Sequence, residues 1–467
     1  KYLGLMLDPK LSWGLHVEQV TGKAIRSLWA CKRSFDKTWG LQPRMLYWIY
    51  ITMVRPIVAY SSLVWWHRAE KGFIKRMLGK VQRLACLGIT GAMNSTPTAA
   101  LEVLLGLPPL HLFAAAEALR TAYRLTSTHN LQLGFKPEGH GKIFGELEKI
   151  PQLCMGADLM NPIYLFESNF KVAASHVDYK YHMDPNTSRN EIVAYTDGSR
   201  TCAGVGAGMR FGRAGVGISI SLGSTPTVFQ AEIFAILSCA QFLRKKGITS
   251  RRIAIFSDSQ AALKALEANC IRSRIVKECR EELESLANHN SLRLGWVPGH
   301  KGIHGNEEAD RLAKEGALRT PIGPEPFCGI AYKTACGAIE RWLTRKHTLY
   351  WEKIAGQRHS KIFLESPSKT RTTYLLSKTK AELRRITALV TGHCLLRKHL
   401  HNMGLSADPL CRKYGQKDET PFHLLGECEH YARRRFMKFG AYNLAPNAGS
   451  EISLASATAF FNETGLM

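Results

Sequence analysis

The sequence lacks any long hydrophobic segment. Its longest apolar run extends from Met45 to Val54 and is bounded by Arg44 and Arg55. A membrane-spanning helix needs about 20 apolar residues, so this run is too short to cross a bilayer, and no membrane partner is expected. The first residues show no signal-peptide pattern. Because the chain starts at Lys1 inside an apolar pattern, we expect a fragment of a longer protein.

The chain is also poor in acidic residues. It carries 38 Asp and Glu against 63 Lys and Arg, which gives a formal net charge of +25. A basic excess of this size favours a polyanionic partner, with nucleic acid as the leading candidate. The composition does not predict any protein partner.

The cysteines form no framework. The 12 cysteines are scattered along the chain, which argues against a disulfide-stabilised secreted scaffold. We therefore expect an intracellular protein, of either the nucleus or the cytoplasm.

Nucleotide-binding glycine motifs are missing as well. A glycine-rich stretch in the middle of the chain fits neither the Gly-x-Gly-x-x-Gly nor the Walker pattern. We interpret it as hairpin geometry. Its members are Gly204, Gly206, Gly208, Gly212, Gly215 and Gly217.

Changes in sequence pattern divide the chain into six segments. Apolar residues at helical spacing dominate the first part, and scattered Gly, Pro and Asn then interrupt them. Strands and helices alternate in the centre, and a Pro/Gly-rich linker follows Thr320. We predict a helical region (1–110), a connector (111–190), an α/β domain (191–320), a basic helical linker region (321–403), a Cys/His segment (404–440) and a tail (441–467).

The α/β domain is predicted to contain a mixed five-stranded sheet with flanking helices. Three early strands suggest a meander, and the later strands alternate with helices. Mainly helical segments precede and follow the domain. The predicted strands are 191–196, 202–210, 215–221, 252–257 and 291–297, and the predicted helices are 228–246, 259–268, 273–288 and 306–318.

Four acidic residues lie where a site could form in this domain. Asp197 and Asp258 end apolar strands, whereas Glu232 and Asp310 lie on predicted helices. Each has an ordinary explanation: a turn residue, a solvated helix position, an N-cap or half of a surface ion pair. The layout as a whole favours one site, because strand ends are where α/β sheets form sites. Clustered carboxylates repel each other unless cations lie between them, and hard divalent ions suit them.

The motifs around these acids resemble type 1 ribonuclease H. They are Tyr195-Thr-Asp-Gly-Ser199, Ala231-Glu232, Phe256-Ser-Asp-Ser-Gln260 and Trp296-Val-Pro-Gly-His-Lys-Gly-Ile-His-Gly-Asn-Glu-Glu-Ala-Asp310. The resemblance covers about 130 residues, with the four acids in the family's order. It implies endonucleolytic hydrolysis of the RNA strand of RNA–DNA hybrids.

The resemblance also implies roles for individual residues. Asp197, Glu232, Asp258 and Asp310 would bind two Mg²⁺ ions, or Mn²⁺, with Asp197 bridging both. One ion would activate water and the other would stabilise the leaving 3′ oxygen. His300 would assist proton transfer and product departure, and a mobile His beside a metal site can shuttle protons near neutral pH. A structural role for His300, or zinc binding with His304, are the alternatives.

Substrate contacts are less specific in the sequence. Recognition of a hybrid requires polar groups that sense 2′-hydroxyls across a wide, shallow groove. We expect such contacts from Gly198, Ser199, Gln260, Asn269 and Lys301, and further phosphate contacts from Lys245, Lys246, Arg251 and Arg252.

The first 110 residues resemble the C-terminal, thumb-like part of a non-LTR (LINE-like) retrotransposon reverse transcriptase. The resemblance rests on Tyr2-Leu-Gly-Leu5, Leu11-Ser-Trp13 and the stretch from Leu84 to Pro109. The polymerase of such elements needs paired aspartates, and this chain contains no Asp-Asp pair. We therefore expect no DNA polymerisation. Trp65-Trp66-His67 could stack on nucleic acid, although core packing at a helix end is the favoured interpretation.

The segment from Thr391-Gly-His393 to Cys428 resembles the Cys/His knuckle that follows ribonuclease H in these elements. Cys411, His423 and Cys428 match the family spacing, but position 414 is Tyr. A closed zinc site uses four N/S ligands, so three remain unless His430 or Glu427 substitutes. Zinc binding and loss of the site both stay open.

Two other functions compete with an active nuclease. A non-catalytic nucleic-acid-binding remnant of a retrotransposon polyprotein would bind through its net charge alone, but it would have no reason to keep the four acids. An integrase-like or other nuclease of the same fold would act on DNA. The stretch from Trp296 to Asp310 argues against that alternative.

Overall fold

The computed structural model describes residues 1–32, 40–130, 141–174, 191–212, 215–323, 328–444 and 452–465. The chain folds into two compact units. A discontinuous unit contains Lys1–Leu119 and Glu340–Met467, and a central unit contains Arg120–Ile339. Among the helices in these described ranges, none combines the length and the apolarity that crossing a membrane requires.

The N-terminal part of the discontinuous unit is helical. Before the first helix, Tyr2 and Leu5 make an isolated antiparallel bridge. Trp65 is fully buried and donates its indole N–H to the carbonyl of Tyr60, so it packs in the core as favoured. The helices are α1 (Gly14–Lys32), α2 (Pro43–Ile49), a π-helical turn (Tyr50–Val54), α3 (Arg55–Ala59), α4 (Ser62–Trp65), α5 (Gly72–Thr90), α6 (Thr98–Leu104) and α7 (Leu110–Ser127).

The central unit combines eight strands with helices in its described residues. The strands are β1 (Leu159–Tyr164), β2 (Lys171–Ala173), β3 (Glu191–Arg200), β4 (Val205–Phe211), β5 (Gly217–Gly223), β6 (Arg252–Ser257), β7 (Cys270–Ser273) and β8 (Ser291–Trp296). The helices are α8 (Lys142–Glu148), α9 (Pro151–Cys154), α10 (Val228–Lys245), α11 (Gln260–Glu267), α12 (Arg274–Ala287) and α13 (His304–Leu318).

The main sheet has the strand order β2-β8-β6-β3-β4-β5. The antiparallel meander β3-β4-β5 and the parallel strands β6 and β8 are the five expected strands. A sixth strand, β2, pairs in parallel with β8 and extends the sheet beyond the five-stranded prediction. It lies in the segment predicted as a connector, where Phe170 is buried in the core of the domain. The fold class is therefore the expected mixed α/β sheet with flanking helices.

A second, two-stranded sheet joins β1 to β7 in antiparallel fashion. The sequence analysis missed both strands, because β7 is only four residues long and β1 contains Pro162, which cannot donate a ladder hydrogen bond. Asp158, just before β1, accepts hydrogen bonds from the Ser273 hydroxyl and from the Ile275 amide. These contacts tie the β1 segment to the start of α12.

Local signals set the start of α10. Thr227 and Gln230 form a reciprocal capping box at its N-terminus. Most of the α10 residues are buried, and the helix packs against β3 and β4 through Ala231 and Ala235. The predicted bounds of this helix differ from the observed ones by one residue at its C-terminal end.

The C-terminal part of the chain is also helical and completes the discontinuous unit. Trp351 and Phe460 are fully buried there, in one hydrophobic core with Trp65 and Tyr50. The helices are α14 (Tyr332–Lys353), α15 (Arg358–Phe363), α16 (Lys369–Leu376), α17 (Lys380–Thr391), α18 (Arg397–Asn402), α19 (Ala432–Phe439) and α20 (Leu454–Thr464).

Candidate metal centre

Asp197 lies on β3, which has β4 on one side and β6 on the other. Asp197 is 6% exposed, and its Oδ1 accepts a hydrogen bond from the Gly198 amide at 2.8 Å. Because Asp197 is paired with Gly208 inside a regular ladder, it is not the turn residue of the ordinary explanation. The strand instead fixes a buried carboxylate in the middle of the sheet.

Glu232 reaches the same place from the first turns of α10. A Cβ atom on Gly198 would lie only 2.4 Å from the Glu232 amide nitrogen, so the glycine lets this helix approach β3 closely. Glu232 is 6% exposed, and within the described part of the chain its Oε2 has no hydrogen-bond partner. A buried carboxylate oxygen without a partner is costly unless a cation completes it.

Asp258 follows β6 directly. Its main-chain carbonyl accepts a hydrogen bond from the Trp296 indole at 3.0 Å, and its Oδ2 accepts one from the Asn306 amide group at 3.3 Å. The N-cap of α11 is Ser259, whose hydroxyl accepts from the Ala262 amide. The ordinary explanation of Asp258 as an N-cap therefore does not hold.

Asp310 lies on α13 and forms the ion pair of its ordinary explanation. Its Oδ2 is 2.6 Å from Lys314 Nζ, one turn further along the helix. The ion pair does not remove Asp310 from the cluster, because its carboxylate is near enough to Asp197 to raise the pKa of that residue. Lys314 also interacts electrostatically with Asp197.

Three of the four acids converge tightly. Carboxylate oxygens of Asp197, Glu232 and Asp258 all lie within 4.8 Å of one another, and Asp310 stands beside Asp197. Burial raises the pKa of Asp197 and that of Glu232 well above their ordinary values, and the neighbouring carboxylates raise both further. Such a set of hard oxygen donors fits one or two divalent cations.

The loop between β8 and α13 carries His300. Gly299 lies so close to Asp258 that a Cβ atom there would be 2.7 Å from Oδ2. His300 is exposed with φ of +54°, beside this contact, and Lys301 is exposed next to it. His304 is the exposed first residue of α13, and in the described ranges neither histidine belongs to a group of three metal ligands.

The residues expected to contact substrate have different surroundings. Gly198 is buried, donates its amide to Asp197 and lies closely against the start of α10. Ser199 and Gln260 are half-buried, and Asn269 is exposed. The basic side chains expected to meet phosphates, namely Lys245, Lys246, Arg251 and Arg252, are all exposed.

Asn306 and Trp296 are site residues to which the sequence analysis assigned no role. Both donate hydrogen bonds to Asp258, and Asn306 is 2% exposed. The available signal was spacing: Asn306 precedes Asp310 by four residues, which places the two on one face of α13. An asparagine within a predicted helix start looks like a capping residue, and this hid its contact with Asp258.

A second cluster of ligand-type residues lies in the discontinuous unit. Ligand atoms of Cys411, His423 and Cys428 lie within 4.8 Å of one another, and the two sulfur atoms are 3.9 Å apart. All three residues are buried, and neither ring nitrogen of His423 has a hydrogen-bond partner among the described residues. Such a set of soft donors fits zinc with an incomplete ligand shell.

The fourth position of this Cys/His cluster has three candidate residues. Tyr414 donates its hydroxyl to Glu429 at 3.1 Å, and its ring stacks on His423. His430 is exposed and packs edge-on against Tyr431. Glu427 Oε2 lies 3.8 Å from His423 Nδ1, so Glu427 has the best position of the three.

Comparison with known proteins identifies the central unit. The RNase H family model matches residues 189–318. A ribonuclease H of Francisella tularensis subsp. novicida is 31% identical over 150 residues, which are 29% of this chain and 95% of that protein. Mouse ribonuclease H1 is 29% identical over 151 residues, which are 28% of this chain and 51% of the mouse protein.

A retroelement protein is also similar. The putative 115 kDa protein in type-1 retrotransposable element R1DM of Drosophila melanogaster is 31% identical over 146 residues, 31% of this chain and 14% of that protein. The chain thus spans about half of the mouse relative and a small part of the fly relative. Because the match to the Francisella protein covers almost its full length, the chain belongs to the ribonuclease H family through its central unit.

Proposed function

We propose that the central unit hydrolyses the RNA strand of RNA–DNA hybrids with two bound divalent cations. The observation that carries this proposal is the convergence of three carboxylates within 4.8 Å, those of Asp197 and Glu232 buried and that of Asp258 half-buried, with Asp310 beside them. A binding module gains nothing from this arrangement, because the uncompensated charges oppose folding in the absence of cations.

The four acids would hold the ions. Asp197 lies within 4.8 Å of Glu232, and Asp310 raises the pKa of Asp197, which suits Asp197 to a bridging position. When bound, Mg²⁺ or Mn²⁺ would supply activation of the attacking water and charge stabilisation at the leaving 3′ oxygen. Asn306 and Trp296 hold Asp258 in place through hydrogen bonds to its side chain and its main chain.

His300 would serve as the proton carrier of the reaction. It is exposed on the loop that contacts Asp258 through Gly299, so its imidazole can reach a substrate bound at the carboxylates. An imidazole titrates near neutral pH and can exchange protons with the leaving group and with solvent. The proposed substrate contacts are Gly198, Ser199, Gln260, Asn269 and Lys301.

We infer that the parts of the chain outside the central unit also derive from a retroelement protein. The net charge of +25 supports binding to the hybrid backbone outside the catalytic unit. The similarity to the R1DM protein, over 14% of that protein, supports the retroelement origin. We propose no polymerase activity, and primer extension above the level of a catalytically dead control would contradict this.

A hybrid-cleavage assay tests the proposal. End-labelled RNA–DNA hybrid, RNA–RNA duplex and DNA–DNA duplex are each incubated with Mg²⁺ and with wild-type protein or Asp258→Asn. We expect internal cuts in the RNA of the hybrid by the wild type alone. Salt-dependent binding without cleavage would favour the non-catalytic remnant, and cutting of DNA–DNA duplex would favour the integrase-like alternative.

The Cys/His cluster is proposed to bind one zinc ion. Its support is the buried, unpartnered imidazole of His423 between two buried thiols. Glu427 is the proposed fourth ligand because its Oε2 lies 3.8 Å from His423 Nδ1. This zinc would have a structural role in the discontinuous unit.

A further inference from the structure

The glycines of β4 lie directly under α13. A Cβ atom on Gly208 would be 2.2 Å from the carbonyl oxygen of Ala309 and 2.4 Å from the amide nitrogen of Ala313. A Cβ on Gly206 would be 2.3 Å from the Ala313 oxygen and equally close to the Ala317 nitrogen. These distances are far below van der Waals contact, and the obstructing atoms are backbone. The helix can therefore occupy its place only because both positions are glycine.

The register of the sheet ties this contact to the metal centre. Gly208 is the antiparallel partner of Asp197, and directly opposed residues share one face of a sheet. The space that a side chain at position 208 would fill is taken by the helix backbone at Ala309, next to Asp310. The close approach at Gly208 thus brings the Asp310 carboxyl group to Asp197.

We infer that Gly208 is a positioning residue, which sets the distance from Asp310 to Asp197 and so completes the metal centre. The inference rests on the proposed nuclease function for its kinetic readout. An added methyl group forces α13 outward by about 1 Å, and displacements of that size can cost about 100-fold in rate. Gly206 contacts the helix one to two turns beyond Asp310, so its methyl group moves that carboxylate less.

Three single variants separate positioning from general packing. Gly208→Ala is compared with Gly206→Ala, which meets the same helix, and with Gly212→Ala, whose Cβ would meet nothing closer than 3.6 Å. Each is measured for thermal stability, for kcat and KM on a labelled hybrid, and for Mn²⁺ affinity by calorimetry. Calorimetry needs no turnover, so the result does not depend on activity.

We expect Gly208→Ala to lower kcat about 100-fold with little change in KM, and to weaken Mn²⁺ binding about tenfold. Gly206→Ala should lower the melting temperature by about as much as Gly208→Ala does, but it should weaken Mn²⁺ binding less than tenfold. Gly212→Ala should match the wild type. In an Asp310→Asn background, Gly208→Ala should weaken Mn²⁺ binding no further, because the group that it displaces is already removed.

Several results would overturn the inference. One is a folded Gly208→Ala protein with wild-type kcat and wild-type Mn²⁺ affinity. Another is an equal loss of Mn²⁺ affinity in Gly206→Ala and Gly208→Ala. The third is that Gly208→Ala weakens Mn²⁺ binding as much in the Asp310→Asn background as in the wild type. If Gly208→Ala fails to fold, Gly206→Ala tests the inference in its place. Its smaller loss of Mn²⁺ affinity must then also disappear in the Asp310→Asn background. Failure of both to fold would leave these glycines a packing role only. If the wild type cleaves no hybrid, the proposed function fails while the Mn²⁺ results still test the positioning.

Discussion

The carboxylate cluster and the Cys/His cluster both gather residues that can bind a metal, but they draw these residues from different lengths of chain. Both bring ligand-type side chains together, and each contains a buried residue with a ligand atom that has no hydrogen-bond partner among the described residues, Glu232 in one and His423 in the other. The acids come from β3, α10, α13 and the end of β6, so only the complete fold unites them. Cys411, His423 and Cys428 lie within 18 residues of chain and can meet through local structure.

The donor atoms also differ. Four carboxyl groups crowd into one place, where burial and mutual repulsion raise the pKa of Asp197 and that of Glu232 and favour the binding of hard cations. In the Cys/His cluster, burial raises the pKa of Cys428 and lowers that of His423, which favours the neutral form of both, so this cluster should tolerate the loss of its ion more easily. We therefore expect the carboxylate site of the central unit to depend on a metal more than the Cys/His cluster does, in which Tyr414 stands at the expected position of a fourth ligand.

Removal of a bridging carboxylate should have the largest effect. Asp197→Asn is expected to reduce hybrid cleavage at least 100-fold, because metal-assisted charge stabilisation contributes several kcal/mol. The same change removes a buried negative charge, so without divalent ions the variant should melt about 2–4 °C above the wild type. The cleavage assay checks the expected loss of activity. Calorimetric scans with and without Mg²⁺ check the expected rise in melting temperature in metal-free buffer. A lower melting temperature in metal-free buffer would show that the acids do not repel each other as inferred.

Loss of a thiol should have the next largest effect, and only in the discontinuous unit. Purified wild-type protein is expected to contain nearly one zinc per chain by elemental analysis, and Cys411→Ser to contain almost none and to melt several degrees lower. Cys394→Ser is the matched control, because Cys394 is buried in the same unit outside the cluster. Mg²⁺-dependent cleavage should persist in Cys411→Ser. Wild-type protein without zinc would mean that the cluster no longer binds metal.

Removal of a residue that orients a ligand should have a smaller effect on the carboxylate site. Asn306→Ala is expected to weaken Mg²⁺ binding and cleavage about 10- to 100-fold, because it frees the Asp258 carboxylate. Glu315→Gln on the same helix is the control, since Glu315 pairs only with surface arginines in the described structure. The Mg²⁺ concentration for half-maximal cleavage measures the difference. An unchanged requirement in Asn306→Ala would remove this residue from the site.

The smallest effect is expected for the cation beside the acids. Lys314→Met removes an ammonium group 2.6 Å from Asp310 that competes with a metal ion for the same carboxylate. Because the lysine side chain is largely exposed, the gain in Mg²⁺ affinity should be about two- to fivefold. Titration calorimetry measures it, with Lys277→Met as a control at an exposed ion pair on α12. Weaker Mg²⁺ binding in Lys314→Met would assign the lysine a supporting role instead.

Much of the central unit could be predicted from the sequence, because its elements have strong local signals. The apolar run of β6 ends at Phe256, two residues before Asp258, and the start and end of β6 agree with the prediction. The missed strands β2 and β7 have three and four residues, and their pairing depends on distant partners. A short strand of this kind has no periodicity of its own.

The site itself was only partly predictable. The motifs around the four acids identified them, but the roles of Gly208 and Asn306 depend on distances between elements. A glycine in a strand carries no information about which helix lies above it, so hairpin geometry was the natural interpretation for Gly204 to Gly217. The structure adds close helix packing at Gly206 and Gly208 to that interpretation.

The most direct test of the account is diffraction at the manganese absorption edge. Crystals of the protein with Mn²⁺ and an RNA–DNA hybrid that resists hydrolysis would be used. If the four acids hold two cations, we expect two anomalous peaks, each within about 2.0–2.6 Å of carboxylate oxygens from the set Asp197, Glu232, Asp258 and Asp310. Bound hybrid with no peak among these four side chains would contradict it.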